Sequence, residues 1–192
     1  MKYYQEVLLL PGVDIGVYFL WQKIYQQIHI ALVEGKKSNT TSAIGVAFPD
    51  YDADKNLLGR KLRLFSKDER LLEQMDCGKW LSRLSDYIHL SGVKHVPERI
   101  EGNACFKQLK FKGNKEKLAR RRAKRKGETL EQALGHFENF KEQRSKLPYI
   151  NMTSQTNGHR FRLFIEKLTK EQPREGFFSC YGLSGTTTVP MF

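Results

Sequence analysis

Apolar positions recur along the chain first with a strand's character and then with a helix's. Tyr3 to Leu10 reads as a strand stopped by Pro11-Gly12, and from about Ile15 to Val33 the positions Leu20, Ile24, Ile28 and Ala31 fall at helical spacing. After a polar loop from Gly35 to Ser42, the segments Ala43 to Phe48 and Lys61 to Phe65 predict a strand pair around the Asp-rich connection Asp50 to Asp54. Asp68 to Leu84 is helical material broken near Gly78, and Tyr87 to Val96 returns to strand character before Pro97. The order βαββαβ predicts a ferredoxin-like domain over residues 1–97, an arrangement that hosts many functions and by itself says little about activity. A second part, 98–192, carries a strongly basic segment, a polar helical stretch to Ser145, and strands at Tyr149 to Met152 and Arg160 to Lys167 around the turn Gln155-Thr156-Asn157-Gly158. Its Gly-, Thr- and aromatic-rich tail from Phe177 shows no long periodicity. The expected class is therefore α+β, a ferredoxin-like N-terminal domain followed by a C-terminal α/β part with a basic helix.

Composition narrows this picture. No apolar run approaches the 20 or so residues of a membrane span, and Met1-Lys2-Tyr3-Tyr4 does not begin a secretory signal, so a cytoplasmic protein without membrane association is expected. Cys77, Cys105 and Cys180 form no C-x-x-C pair, which argues against a zinc ribbon or a disulfide framework and for buried thiols. The net charge of +12 is uneven: +2 over residues 1–100 and +10 over residues 101–192. A polyanionic partner should meet the second half.

The excess concentrates in Lys107 to Lys126, which holds 11 basic residues and one acid. Residues 115–126 are good helix formers without Pro or Gly, so this segment should be helical. Lys117, Arg121, Lys124, Arg125 and Glu128 fall on one side, while Arg120 and Arg122 flank Ala119 and Ala123, so nearly every face is cationic and suits a nucleic-acid groove. Contacts from such a helix go mainly to phosphates and do not read sequence. Just upstream, Lys107-Gln108-Leu109-Lys110 looks like an exposed polar stretch whose amide and ammonium groups suit base edges, though an ordinary loop explains it equally well.

His29 lies well round from the Leu20/Ile24/Ile28/Ala31 stripe, in line with Gln22 and Tyr25, and is expected to face away from the core. An imidazole, with an ordinary pKa near 6.5, can accept or donate a proton at neutral pH. The other histidines show no metal-binding spacing and no carboxylate cluster presents itself, so any chemistry on nucleic acid is expected to proceed without a metal or cofactor. Metal-free cleavage of RNA needs only removal of the 2′-OH proton, a fixed sugar and a steadied phosphate charge.

Blocks spread over nearly the whole chain resemble the CRISPR repeat-RNA endoribonuclease of type I-F systems: Ile28-His29-Ile30-Ala31-Leu32-Val33, Ile44-Gly45-Val46-Ala47-Phe48-Pro49-Asp50, the Arg-rich helix, Thr153-Ser154-Gln155-Thr156 with Arg160-Phe161-Arg162-Leu163-Phe164-Ile165, and Cys180-Tyr181-Gly182-Leu183-Ser184 with Val189-Pro190-Met191-Phe192. The resemblance implies that the Arg-rich helix enters the major groove of a small RNA hairpin. It also implies that His29 is the catalytic histidine, Ser154 holds the ribose whose 2′-OH attacks, and Tyr181 helps order the histidine and the scissile region. Phe161 matches the aromatic that stacks under the terminal base pair. Arg120, Arg121, Lys124 and Arg125 fall where the family places phosphate-contacting arginines, with Lys124 keeping the charge but losing the bidentate fork. The chain departs from the family at Gln108-Leu109-Lys110, where an Arg-x-Gln element commonly reads the bottom of the stem, and at Thr156 and Asn157 in the Ser-containing turn. Further implications are products ending in a 2′,3′-cyclic phosphate and a 5′-OH, retention of the cut hairpin, and assembly with the other subunits of the type I-F surveillance complex around a guide RNA. Outside that complex a monomer is expected. The rival reading is a non-catalytic scaffold that holds structured RNA.

Overall fold

The computed structural model describes residues 1–12, 14–35, 41–111, 115–138 and 146–192. Most of the loop expected at Gly35 to Ser42, part of the basic segment (112–114) and the end of the helical stretch expected to Ser145 (139–145) lie outside the described residues.

The elements follow in order: β1 (Tyr3–Leu9), α1 (Val17–Glu34), β2 (Thr41–Ser42), β3 (Gly45–Ala47), β4 (Lys61–Ser66), α2 (Glu69–Met75), α3 (Cys77–Leu81), a 3₁₀ turn (Ser82–Tyr87), β5 (Ile88–Leu90), β6 (Lys94–His95), β7 (Gly102–Leu109), α4 (Lys115–Lys126), α5 (Leu130–Gly135), β8 (Tyr149–Thr153), β9 (Arg160–Lys170), β10 (Phe178–Ser179) and β11 (Val189–Met191). The chain is thus mixed α+β. One antiparallel sheet has the order β3-β4-β1-β5, with β6 also on β1; a second has the order β11-β7-β9-β8; β10 pairs with β2. In β1 alternate residues Gln5, Val7 and Leu9 turn into the core, the two-residue period of a half-buried strand. The helical break expected near Gly78 falls at Asp76. That residue adopts a left-handed conformation (φ 45°), which ends α2, and its side chain accepts a hydrogen bond from Lys79 N (3.3 Å), which starts α3.

Compactness does not follow a boundary at residue 97. Met1–Leu109 and Leu147–Phe192 form one unit, Lys110–Lys146 another. The reason lies in β7, which the polar reading of Lys107 to Lys110 passed over. Gly102–Leu109 is hydrogen-bonded to β9 on one side and β11 on the other, and buries Asn103 to Phe106 in succession rather than alternately. A strand covered on both faces lacks the alternation that marks a strand in sequence. The Phe106 ring meets Phe48 edge-on (5.9 Å) and Tyr51 donates to the Ile165 carbonyl (2.9 Å), so the two sheets share one core. The tail is structured too: β10 and β11 fasten it to β2 and β7.

Cys77 and Cys105 are buried and Cys180 is half-buried, and all three are free thiols. Desolvation, with a contribution from Asp76, pushes the Cys77 thiol up to about 12, which keeps it an inert core residue. Among the described residues no helix is long and apolar enough to cross a membrane.

Candidate functional site

Helix α1 is broader in its apolar face than four stripe positions suggest. Trp21, Tyr25 and Leu32 are buried beside Leu20, Ile24, Ile28 and Ala31. Tyr25, placed by sequence on the outward side with His29, is fully enclosed and donates its hydroxyl to the Tyr181 carbonyl (2.7 Å). Burial pushes its phenol well above the ordinary tyrosine value, with Tyr181 and Cys180 adding to the shift.

The expectation that His29 faces away from the core is corrected accordingly. The ring is half-buried under the C-terminal segment, with Nδ1 2.9 Å from the Cys180 carbonyl. It stacks on the Tyr181 ring at 4.2 Å between centroids and 15° between planes. A carbonyl oxygen can only accept, so Nδ1 carries a proton, and in the uncharged tautomer that this contact selects the basic lone pair is at Nε2. Desolvation, then Cys180, raises the Tyr181 phenol above its ordinary value, so it is a neutral hydroxyl at neutral pH and no base.

The turn that presents Cys180 and Tyr181 is held from several sides. Gly182 N donates to Ser179 O (2.9 Å), Tyr181 N to Ser179 Oγ (3.3 Å), and Val46 N of β3 to Gly182 O (2.8 Å). Gly182 has φ 69°, and a Cβ there would overlap Val46 Cγ2. Both features require glycine. Replacing Gly182 by Ala is expected to cost about 1–3 kcal/mol and to lower the melting temperature by roughly 3–10 °C. An unchanged melt would show that this turn is not held as described.

Phe161 enters the same cluster from β9, meeting Tyr181 edge-on at 6.4 Å and 75°. Ser154 begins the β8–β9 hairpin, its N–H donating to His159 O and its carbonyl accepting from Gly158 N, both at 2.9 Å. Thr156 is exposed in the turn at Gln155–Asn157, inside the segment where sequence placed a turn. The residue before Ser154, Thr153, donates its N–H to Gln26 Oε1 of α1 (3.0 Å), one helical turn before His29. The structure thus brings His29, Tyr181 and Phe161 together and ties the Ser154 hairpin to the helix that carries His29. Sequence reasoning missed Tyr25 and Gln26; their spacing of four and three residues from His29 is the signal that could have found them.

Gln108 is half-buried in β7 opposite Ile165, and Lys110 is exposed just beyond the strand, so the two differ in setting although sequence grouped them.

In the other compact unit α4 is a helix over Lys115–Lys126, within the segment expected. It is more sided than an all-round cationic reading implied. Ala119 is buried, and Arg122 is half-buried and paired with Glu128 (3.1 Å) and His136 (3.0 Å). Thr129 and Gln132 form a reciprocal cap that starts α5 directly after Gly127 turns the chain. Lys117, Arg120, Arg121, Lys124 and Arg125 are exposed, and Arg120 also makes a surface pair with Glu116 (3.5 Å). One flank of α4 is therefore structural and the rest presents cations. Among the described residues no three His, Cys, Asp or Glu side chains gather as a metal site.

The model of a CRISPR-associated family (Cas_Csy4) matches residues 4–192. A protein from Escherichia coli (strain UTI89 / UPEC) named CRISPR-associated endonuclease Cas6/Csy4 is 34% identical over 194 residues, covering 100% of both chains. One of the same name from Pseudomonas aeruginosa (strain UCBPP-PA14) is 30% identical over 196 residues, again covering 100% of both. A solved structure described as CRISPR associated protein Cas6 aligns with 100% of this chain and 99% of its own at 12% identity and a TM-score of 0.34.

Proposed function

Because the chain belongs to the CRISPR-associated Csy4 family, we propose that it is an endoribonuclease that cuts CRISPR repeat hairpins out of precursor transcripts to give guide RNAs. The observation that carries the mechanism is the fixed imidazole of His29, protonated at Nδ1 by its contact with the Cys180 carbonyl and stacked on Tyr181. With Nε2 as the basic atom, His29 takes the proton from a ribose 2′-OH. The 2′-oxygen then bonds to the adjacent phosphorus, the bond to the 5′-oxygen breaks, and the leaving oxygen gains a proton. The products are a 2′,3′-cyclic phosphate and a 5′-OH, and no metal or cofactor enters the step. Ser154 positions the attacking ribose, and Tyr181 holds the imidazole plane and the scissile region. Phe161 offers its ring to the terminal base pair of the stem.

Lys117, Arg120, Arg121, Lys124 and Arg125 take the phosphates of the hairpin, with Thr156 assisting from the turn, and Gln108 and Lys110 contact base edges at the foot of the stem. The order β3-β4-β1-β5, with every pair antiparallel, supports reading the first sheet and its helices as ferredoxin-like. On this reading the protein acts in the cytoplasm as a monomer, keeps the 3′ hairpin after the cut, and joins the other subunits of a type I-F surveillance complex.

The deciding experiment incubates purified protein with a labelled repeat RNA in EDTA. A discrete cut bearing a cyclic phosphate supports the nuclease. Retention of intact RNA would make the protein a scaffold, and a 5′-phosphate product would point to a metal-dependent route. A second measurement addresses the phosphate contacts. Arg121→Ala is expected to weaken cognate and unrelated hairpins alike and to reduce the slope of log affinity against log salt by about 1. A loss confined to the cognate hairpin would instead make Arg121 a base reader.

A further inference from the structure

Strand β8 is the outer edge of its sheet, so alternate N–H groups along it have no strand to pair with. Thr153 N–H, at its very end, is taken instead by a side chain from a different element, Gln26 Oε1 of α1, at 3.0 Å and 127 residues away in sequence. Since a backbone N–H can only donate, this contact fixes which end of the Gln26 amide faces the strand. The other end, Nε2, is then buried without a hydrogen-bond partner. A leucine here would remove that unsatisfied donor, so the glutamine is disfavoured as packing and is explained by the one bond its carbonyl accepts.

That bond lies between the two groups the reaction needs. Gln26 precedes His29 by one helical turn on the same side of α1, and Thr153 is bonded directly to Ser154. Beyond Thr153 the hairpin is closed by Ser154 N donating to His159 O and Gly158 N to Ser154 O. Strand β8 packs against α1, and the bond to the Gln26 carbonyl gives that packing a direction at the point where the hairpin starts. We propose that Gln26 is a positioning residue that clamps the start of the Ser154 hairpin to the helix bearing His29, setting the separation between the ribose-holding hydroxyl and the imidazole. This inference rests on the roles given above to His29 and Ser154.

The test uses the full-length protein and a synthetic RNA of one repeat hairpin, with single-turnover cutting and equilibrium binding measured side by side. Gln26→Leu is expected to cut about 10–10²-fold more slowly, the scale on which small misplacements of reacting groups act, while binding the hairpin as the parent does. Gln26→Glu keeps an oxygen for Thr153 N–H and is expected to restore most of the rate. In a Ser154→Ala background Gln26→Leu should add almost nothing, because the group it positions is already gone. A simple loss of stability would instead lower rate and binding together and multiply with Ser154→Ala. Gln26→Met, which keeps the length and apolar contacts, replaces the leucine variant if thermal melts show that leucine unsettles the helix. Parental cutting by Gln26→Leu or Gln26→Met, alongside slow His29→Ala and Ser154→Ala proteins, overturns the clamp. A Glu variant as slow as the Leu one also overturns it, by assigning the effect to Nε2. Full-speed cutting by both His29→Ala and Ser154→Ala would instead remove the catalytic reading on which the clamp depends.

Discussion

A repeat RNA whose 2′-hydroxyl upstream of the scissile phosphate is replaced by hydrogen is expected to resist cleavage completely while still binding. The substitution removes the nucleophile itself, and no protein group can replace an oxygen that must become part of the cyclic product. Binding loses at most one hydrogen bond, to Ser154, worth about 0.5–1.5 kcal/mol, which is roughly a tenfold weakening or less. The measurement is a denaturing gel of the cut beside a filter-binding curve for the same RNA. Cutting of the deoxy substrate at an ordinary rate would mean that the attacking oxygen comes from water, and the whole assignment of His29 to the ribose would fall.

The second large effect is expected at His29 itself. His29→Ala should slow cutting by about 10²–10⁴-fold, the usual contribution of a positioned proton-transfer group, or about 3–5 kcal/mol of barrier. Its effect on hairpin affinity should be small, because the cations of α4 and the turn residues remain. The variant also leaves Tyr181 without the ring it stacks on, so the comparison of interest is with His29→Gln, which refills the space and restores a hydrogen-bonding side chain without a titratable imidazole. Equal loss in both variants locates the effect in proton transfer, whereas recovery in His29→Gln would locate it in packing.

These expectations drew on sequence unevenly. The stripe Leu20/Ile24/Ile28/Ala31 was legible because a helix with one buried face writes its period into the chain. Strand β7 was not, because it lies between β9 and β11 and buries consecutive residues; nothing in Asn103 to Phe106 alternates. His29 could be singled out by helical phase, yet phase placed it outward, since the segment that covers it arrives 151 residues later and contributes a backbone carbonyl, which no side-chain pattern records. The same limit hid Gln26, whose partner is the N–H of Thr153. Side-chain chemistry was therefore visible in the sequence wherever local period carried it, and invisible wherever the second partner was main chain brought in by the fold.

The two ends of the Lys110–Lys146 unit leave the sheet at nearly the same level. Leu109 closes β7 and Tyr149 opens β8, and both are registered opposite Phe164 of β9. The gap between them is two strand spacings, about 10 Å, which a short peptide spans. Everything between these points, including α4 with its exposed Lys117, Arg120, Arg121, Lys124 and Arg125, is thus one contiguous insertion between neighbouring strand ends of the sheet. Such a cassette can be lengthened, shortened or exchanged while the histidine, the tyrosine and the serine hairpin keep their places. The strength of the grip on hairpin phosphates can then be retuned in one contiguous stretch of chain, while Gln108 and the cutting residues stay with the sheets.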